Sequence, residues 1–163
     1  MTLSQRITKS VLKTTPMFIK NTHNAVPFSI KKWVVLHSLR KLTDDLIENN
    51  VIDFMDGKIA KVCIRDIDIS WYFTKYRDTS ELVMIEKVNT QPDVVFSGTL
   101  DAMVLMASKK KDPDTLFFNR ELCITGDTEL GLEIKNLIDQ FELEALPKTI
   151  QYFLNRWAIA IID

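Results

Sequence analysis

Residues Asp112–Leu132 read DPDTLFFNRELCITGDTELGL, and the order of signals in this stretch decides the fold. Asp112-Pro113-Asp114 breaks the preceding segment and has the chemistry that starts a helical turn; it lacks the later ligands of a calcium loop. Leu116, Phe117 and Phe118 form a short apolar turn, and Glu121 to Thr125 is a short strand. Gly126 then hands the chain to a helix from Asp127 to Phe141, whose first turn is acidic, as free amides and the helix dipole favour. Its apolar stripe is Leu130, Ile134, Leu137, Ile138 and Phe141. A glycine between strand and helix has the outline of a phosphate loop, but Asp127 and Glu129 would repel the anion.

Working backwards, Leu100, Met103, Val104 and Ala107 have helical spacing, and Lys109 to Asp112 ends that helix before Pro113. The forty residues after Asp56-Gly57 read as strands. Ala60, Val62 and Ile64 alternate with Lys61, Cys63 and Arg65; the phase then slips, and Ile67, Ile69, Trp71 and Phe73 alternate with polar neighbours. A slip at Arg65-Asp66 predicts a tight turn or bulge between two antiparallel strands with one apolar, aromatic face. Leu82 to Glu86 and Asp93 to Ser97 supply two more strands. Upstream, a helix runs from about Ser29 to Asn49 with Val35, Leu39, Leu42 and Leu46 on its buried side, widened by Ile30, Trp33 and Val34. Downstream of Pro147, Ile150, Phe153, Leu154, Trp157 and Ile161 mark a last helix, greasier than a surface helix requires.

The order helix, four strands, helix, strand, helix, helix predicts an α+β fold. It is a roughly five-stranded, antiparallel-rich sheet covered on one face by helices. Three units follow: a basic amphipathic segment and linker at 1–27, the main domain at 28–146, and an apolar C-terminal helix at 147–163 that packs on or gates the interior. With 163 residues the chain is one domain, and 46% hydrophobic against 26% charged residues exclude a disordered chain. No apolar run approaches the length of a membrane-spanning helix. Cys63 and Cys123 belong to no metal-ligand or redox spacing and read as small buried hydrophobes of a cytoplasmic protein.

The net charge of −1 hides an asymmetry. Residues 1–43 hold eight basic residues and no acid, whereas the remaining 120 carry 13 basic and 22 acidic residues. On a helical wheel Leu3, Ile7 and Val11 fall within about 80° of one another, opposite Arg6, Lys9 and Lys13. Such a face suits an anionic membrane surface at about 1 kcal/mol per cation. Packing on the chain's own domain and a mitochondrial transit peptide are the competing readings. Nucleic acid is the poorest fit, because no basic groove interleaved with aromatics follows and the rest is acidic.

No catalytic set stands out. His23 and His37 are the only histidines and neither has a ligand or nucleophile neighbour. Arg65, Asp66 and Asp68 alternate with Ile67 and Ile69, the pattern of a strand's solvent face rather than of an acid–base pair. Met84, Met103 and Met106 either fill core gaps or line a pocket for flexible chains.

The quoted stretch, together with RDIDISW at Arg65–Trp71 and VVFSGTLDAMVLMASKKKDPDTLFF at Val94–Phe118, resembles the sterol-carrier-protein type 2 (SCP2-like) lipid-binding family. The likeness is greatest to its branch of UbiT-like ubiquinone-biosynthesis accessory factors. It covers roughly Leu36 to Leu146 and argues against a transit peptide. It implies an apolar cavity under the helices and a non-catalytic role without cofactor. The expected ligand is a polyprenylated quinone precursor or a phospholipid, held in the oxygen-independent route to ubiquinone. It also implies UbiU and UbiV type hydroxylation proteins and other quinone-pathway enzymes as partners, at the inner-membrane surface. The residues expected to touch lipid are Trp33, Ile69, Trp71, Phe73, Met84, Met103, Val104, Leu116, Phe117, Ile134, Ile138, Phe141 and Phe153. A general phospholipid or fatty-acyl carrier, and a scaffold whose groove docks a partner helix, are the alternative functions.

Overall fold

The computed structural model describes residues 29, 32, 33, 35–37, 51–76 and 82–162. The basic segment with Arg6, Lys9 and Lys13, its linker with His23, and most of the helix expected from Ser29 to Asn49 lie outside the described residues. Ser29, Lys32, Trp33 and Val35 to His37 are helical.

Five strands make one sheet: β1 (Ile59–Ile64), β2 (Ile69–Lys75), β3 (Leu82–Ile85), β4 (Val94–Gly98) and β5 (Leu122–Gly126), in the order β3-β2-β1-β4-β5. The phase slip at Arg65-Asp66 is a hairpin. Ile64 pairs with Ile69 across residues 65–68, Asp68 takes a positive φ of 54°, and Ile67 turns inward and is buried. Three of the four pairings are antiparallel, while β1 and β4 run parallel. The sheet is therefore mixed. After the β1-β2-β3 meander the chain returns past β2 to the free side of β1 and arrives in β1's own direction. Alternation along a strand fixes which side chains share a face but not the sense of pairing.

Register collects Ala60, Val62 and Ile64 of β1 with Ile69, Trp71 and Phe73 of β2, Met84 of β3, Val94 and Phe96 of β4, and Leu122 and Ile124 of β5 on one face. Among the described residues four helices pack there: α1 (Leu100–Ala107), α2 (Pro113–Phe118), α3 (Thr128–Gln140) and α4 (Lys148–Ile162). Each of the first three starts on a side-chain cap. Thr99 accepts from Ala102 N, Asp112 from Thr115 N at 2.7 Å with Pro113 following, and Asp127 from Leu130 N at 3.1 Å. Asp66 adds a second acceptor at the start of α1, taking Leu100 N at 2.9 Å. Gly131 lets α3 lie close on the sheet, since a Cβ there would sit 2.6 Å from the Ile124 Cγ2 methyl.

The core has two parts. Ala60, Val94, Phe96, Leu122, Leu116, Leu130 and Ile134 form one beneath α1, α2 and α3. Ile64, Ile67, Ile69, Leu100, Val104 and Leu105 form the other, closed by Ala158 of α4 with Leu154, Trp157 and Ile161 around it. Met103 touches both. Cys63 and Cys123 depart from the expected burial. They are half-buried, free thiols on the opposite face of the sheet, because alternation in β1 and β5 turns their apolar neighbours inward.

Lys111 clamps α2 to the start of β5, its Nζ donating to both Glu121 oxygens at 2.8 and 3.0 Å, which holds that carboxyl below the usual carboxylate range. A lowered folded pKa means stability that is present at neutral pH and lost as pH falls through the folded value. In an acid titration of the melting temperature, Glu121→Gln should therefore lose less stability between neutral and acid pH than the wild type. An identical acid limb would show that the pair contributes nothing.

Candidate functional site

Within the half of the core under α1 and α3, away from α4, the sheet and helices do not close. They leave a cavity of about 300 Å³. Its floor is Ala60 and Val62 of β1, Phe73 of β2 and Phe96 of β4. Met103 and Met106 of α1 and Ile134, Leu137 and Ile138 of α3 form the roof. Two connecting segments complete the wall: the 3-10 turn Asp53–Met55 with its neighbour Ile52, and the strap after α3, where Phe141, Leu143 and Leu146 face inward.

The walls are carbon. A dry apolar cavity of about 150 Å³ already binds benzene or xenon, and ligand cavities begin near 300 Å³. Water has few partners here, so the space favours a hydrocarbon. The exposed lining residues Ala107, Lys109 and Glu142 mark its opening, where the C-terminal ends of α1 and α3 meet. Lys109 adopts φ 57° just past the end of α1 and sends its Nζ to the carbonyls of Ile138 and Asp139, at 3.0 and 2.8 Å. The ammonium thereby caps α3 while its methylene stem lies on the cavity wall.

A second polar device fixes the turn that supplies Ile52 and Met55. Lys75 is on the inner face at the end of β2, nearly closed off from solvent. Its Nζ donates to Asp56 and, at 2.9 Å, to Asp53, while its carbonyl accepts from Gly57 N. The hydrogen bonds it donates to Asp56 and then to Asp53 raise its pKa above the usual lysine value. A raised folded pKa gives stability that is complete below the unfolded value and lost as pH rises through the folded one. Lys75→Met should lower the melting temperature at neutral pH and remove the alkaline part of this dependence, measured by thermal unfolding from neutral pH to beyond the lysine range. A variant with the wild-type alkaline limb would contradict this role.

Phe73, Met103, Ile134, Ile138 and Phe141 are the residues singled out from sequence that the structure brings to the cavity wall. Ile69, Trp71 and Val104 share the inner face or its roof but pack in the other half of the core, where α4 covers them. Met84 and Leu116 are buried in solid packing away from the cavity. Phe117 is a correction: Leu116 takes the inward position of the six-residue α2, and the next residue, about 100° further round, is turned to solvent with Phe118, ring to ring at 5.9 Å. Phe153 is another, 69% exposed because Leu154 and Trp157 occupy the buried side of α4. Trp33 is 65% exposed and stacks on His37 at 5.1 Å instead of reaching the cavity.

Sequence reasoning missed Ile52 and Met55, which sit in a turn without periodicity, and Leu143 and Leu146, spaced like helix residues but lying in a strap. Ala60, Val62 and Phe96 were within reach, since their alternation puts them on the face of Phe73. Among the described residues no group of three or more His, Cys, Asp or Glu side chains is placed to hold a metal ion, and no helix is long and apolar enough to cross a membrane. Desolvation raises the pKa of Asp101, next to Asp66 and the Trp157 indole, but this carboxyl lies on the α4 side of α1, away from the cavity.

Comparison with known proteins gives this architecture its relatives. Residues 36–139 match the model of the SCP-2 sterol transfer family. The chain is 38% identical over 128 residues, 78% of its own length and 71% of the relative's, to the ubiquinone biosynthesis accessory factor UbiT of Escherichia coli K12. Among solved structures, the UbiJ-SCP2 ubiquinone synthesis protein superposes with a TM-score of 0.52 at 14% identity, over 69% of this chain and 97% of that one, which is a likeness of fold. The family match runs through the whole sheet, α1, α2 and nearly all of α3, the elements that build the cavity, and this chain belongs to the SCP-2 sterol transfer family.

Proposed function

We propose that this protein is a non-catalytic lipid-binding accessory factor of ubiquinone biosynthesis, whose cavity shields the polyprenyl tail of a quinone precursor from water. The observation that carries the reading is the apolar cavity, open at one end, in a chain related over most of its length to UbiT. A tail that buries about fourteen methylene equivalents gains on the order of 11 kcal/mol, so retention needs few polar contacts. The ring remains at the opening beside Ala107, Lys109 and Glu142, where a pathway enzyme can reach it. The route served is the oxygen-independent one. UbiU and UbiV type hydroxylation proteins are the partners, and Arg6, Lys9 and Lys13 hold the protein at the inner-membrane surface.

Two measurements test this. Lipid extracted from the natively purified protein should contain an isoprenoid aromatic intermediate; a diacyl phospholipid or fatty acid alone would make it a general lipid carrier instead. Cells lacking the protein should lose ubiquinone when grown without oxygen, and His37→Ala, Cys63→Ala and Cys123→Ala should each restore it. These three side chains lie away from the cavity wall. Failure of any of them at normal protein level would contradict a non-catalytic role.

A further inference from the structure

The helix that closes the second half of the core is apolar on two sides. Leu154, Trp157, Ala158 and Ile161 of α4 pack inward on α1, yet Tyr152 and Ile159 on the opposite side, flanked by Phe153 and Ile162, are 46 to 69% exposed. A helix that is hydrophobic all round normally has both sides covered. Between the exposed side chains α4 carries Lys148 and Arg156, and from Lys148 to Ile162 it has no acid.

We propose that this outer face of α4 docks the protein on the surface of an anionic lipid bilayer. Charge selects the occupant. Residues 44–147 hold 11 basic and 21 acidic residues, a net −10, so an anionic bilayer repels the body of the domain and admits it only by a cationic face. In α4 two cations stand among aromatic and aliphatic side chains, the composition of a helix lying in the headgroup plane, and tyrosine is at home at that depth. At 15 residues the helix is about 22 Å long, too short to span and long enough to lie flat. Its N-terminus continues directly from the strap whose Leu143 and Leu146 wall the cavity. A bilayer held against α4 therefore lies beside the part of the wall that connects to it, where a lipid tail has the shortest path between membrane and cavity. The inference goes beyond the carrier reading and stands or falls apart from it.

The test uses the full chain and vesicles of phosphatidylcholine with or without roughly a third of phosphatidylglycerol. The wild type should bind the anionic vesicles and bind the neutral ones weakly. The triple variant Tyr152→Ser, Phe153→Ser, Ile159→Ser should bind anionic vesicles about a hundredfold more weakly, and Lys148→Glu with Arg156→Glu about tenfold or more, the latter only at low salt. Melting temperature and uptake of a fluorescent fatty acid into the cavity should not change. The single variant Phe153→Ser gives the same reading, at about tenfold, should the triple variant fold poorly. Unchanged vesicle binding in these variants overturns the proposal. So does a wild-type dimer that the apolar variants dissociate, which would make a second copy the occupant, and so does a fall in melting temperature for Phe153→Ser, which would mean that the chain itself covers this face.

Discussion

Ile138→Trp should purify with at least tenfold less bound lipid than the wild type, while its melting temperature stays within a few degrees. Ile138 faces the cavity from α3, and its carbonyl is one of the two that hold Lys109 at the opening. An indole at this position projects into the mouth and obstructs any chain that enters. The backbone hydrogen bond to Lys109 does not depend on the side chain. Filling roughly 60 Å³ of empty space at about 24 cal/mol per Å³ stabilises by about 1.4 kcal/mol, and off-rotamer packing opposes it by a similar amount. Lipid content is read by extraction and mass spectrometry, stability by thermal unfolding. A variant that keeps its lipid would show that the ligand lies elsewhere.

The largest loss of stability is expected at Gly126→Ala. Gly126 has φ +99°, a conformation that side-chain-bearing residues rarely adopt, and a Cβ there would stand 2.3 Å from the Asp93 carbonyl oxygen. The neighbouring backbone cannot retreat. Asp127 N donates to that same oxygen at 2.8 Å, and the Asp93 carboxylate accepts Ile59 N at 2.7 Å, so this point ties the starts of β1, β4 and α3 together. Backbone strain and the clash together should cost about 3 kcal/mol or more. Because Asp127 caps α3, the roof of the cavity moves with it, and bound lipid should fall in parallel with stability. Denaturant unfolding checks the size of the loss; a change under about 1 kcal/mol would mean that the turn relaxes freely.

How far the sequence could be read follows from what periodicity encodes. Alternation in Ala60 to Phe73 identifies the inner face of the sheet and, through its slip at Arg65-Asp66, the hairpin. The spacing of Leu130, Ile134, Leu137 and Ile138 identifies the roof helix. Both signals come from burial, so Phe73, Ile134 and Ile138 were legible. Burial does not distinguish a residue beside a cavity from one in solid packing. Trp71 and Val104 have the same pattern as Phe73 and Met103, and only the position of α4 fills one half of the face while the other stays open. Phe117 and Phe153 failed for a different reason: large aromatic side chains read as interior, whereas a six-residue helix turns just one row inward and α4 is apolar on its outside as well. Lys109 was invisible because a lysine in a KKK run reads as a solvated helix end, yet two carbonyls take its ammonium and its stem lines the wall.

The central claim is that the space between the sheet, α1 and α3 holds the apolar tail of a lipid, and native mass spectrometry of the freshly purified full chain tests it most directly. The account predicts a population heavier than the bare chain of 163 residues by the mass of one amphiphile with a long hydrocarbon or isoprenoid tail, recovered in the organic extract and lost from Ile138→Trp. A spectrum of the bare chain alone, with no uptake of added fatty acid or isoprenoid by the wild type, would contradict it.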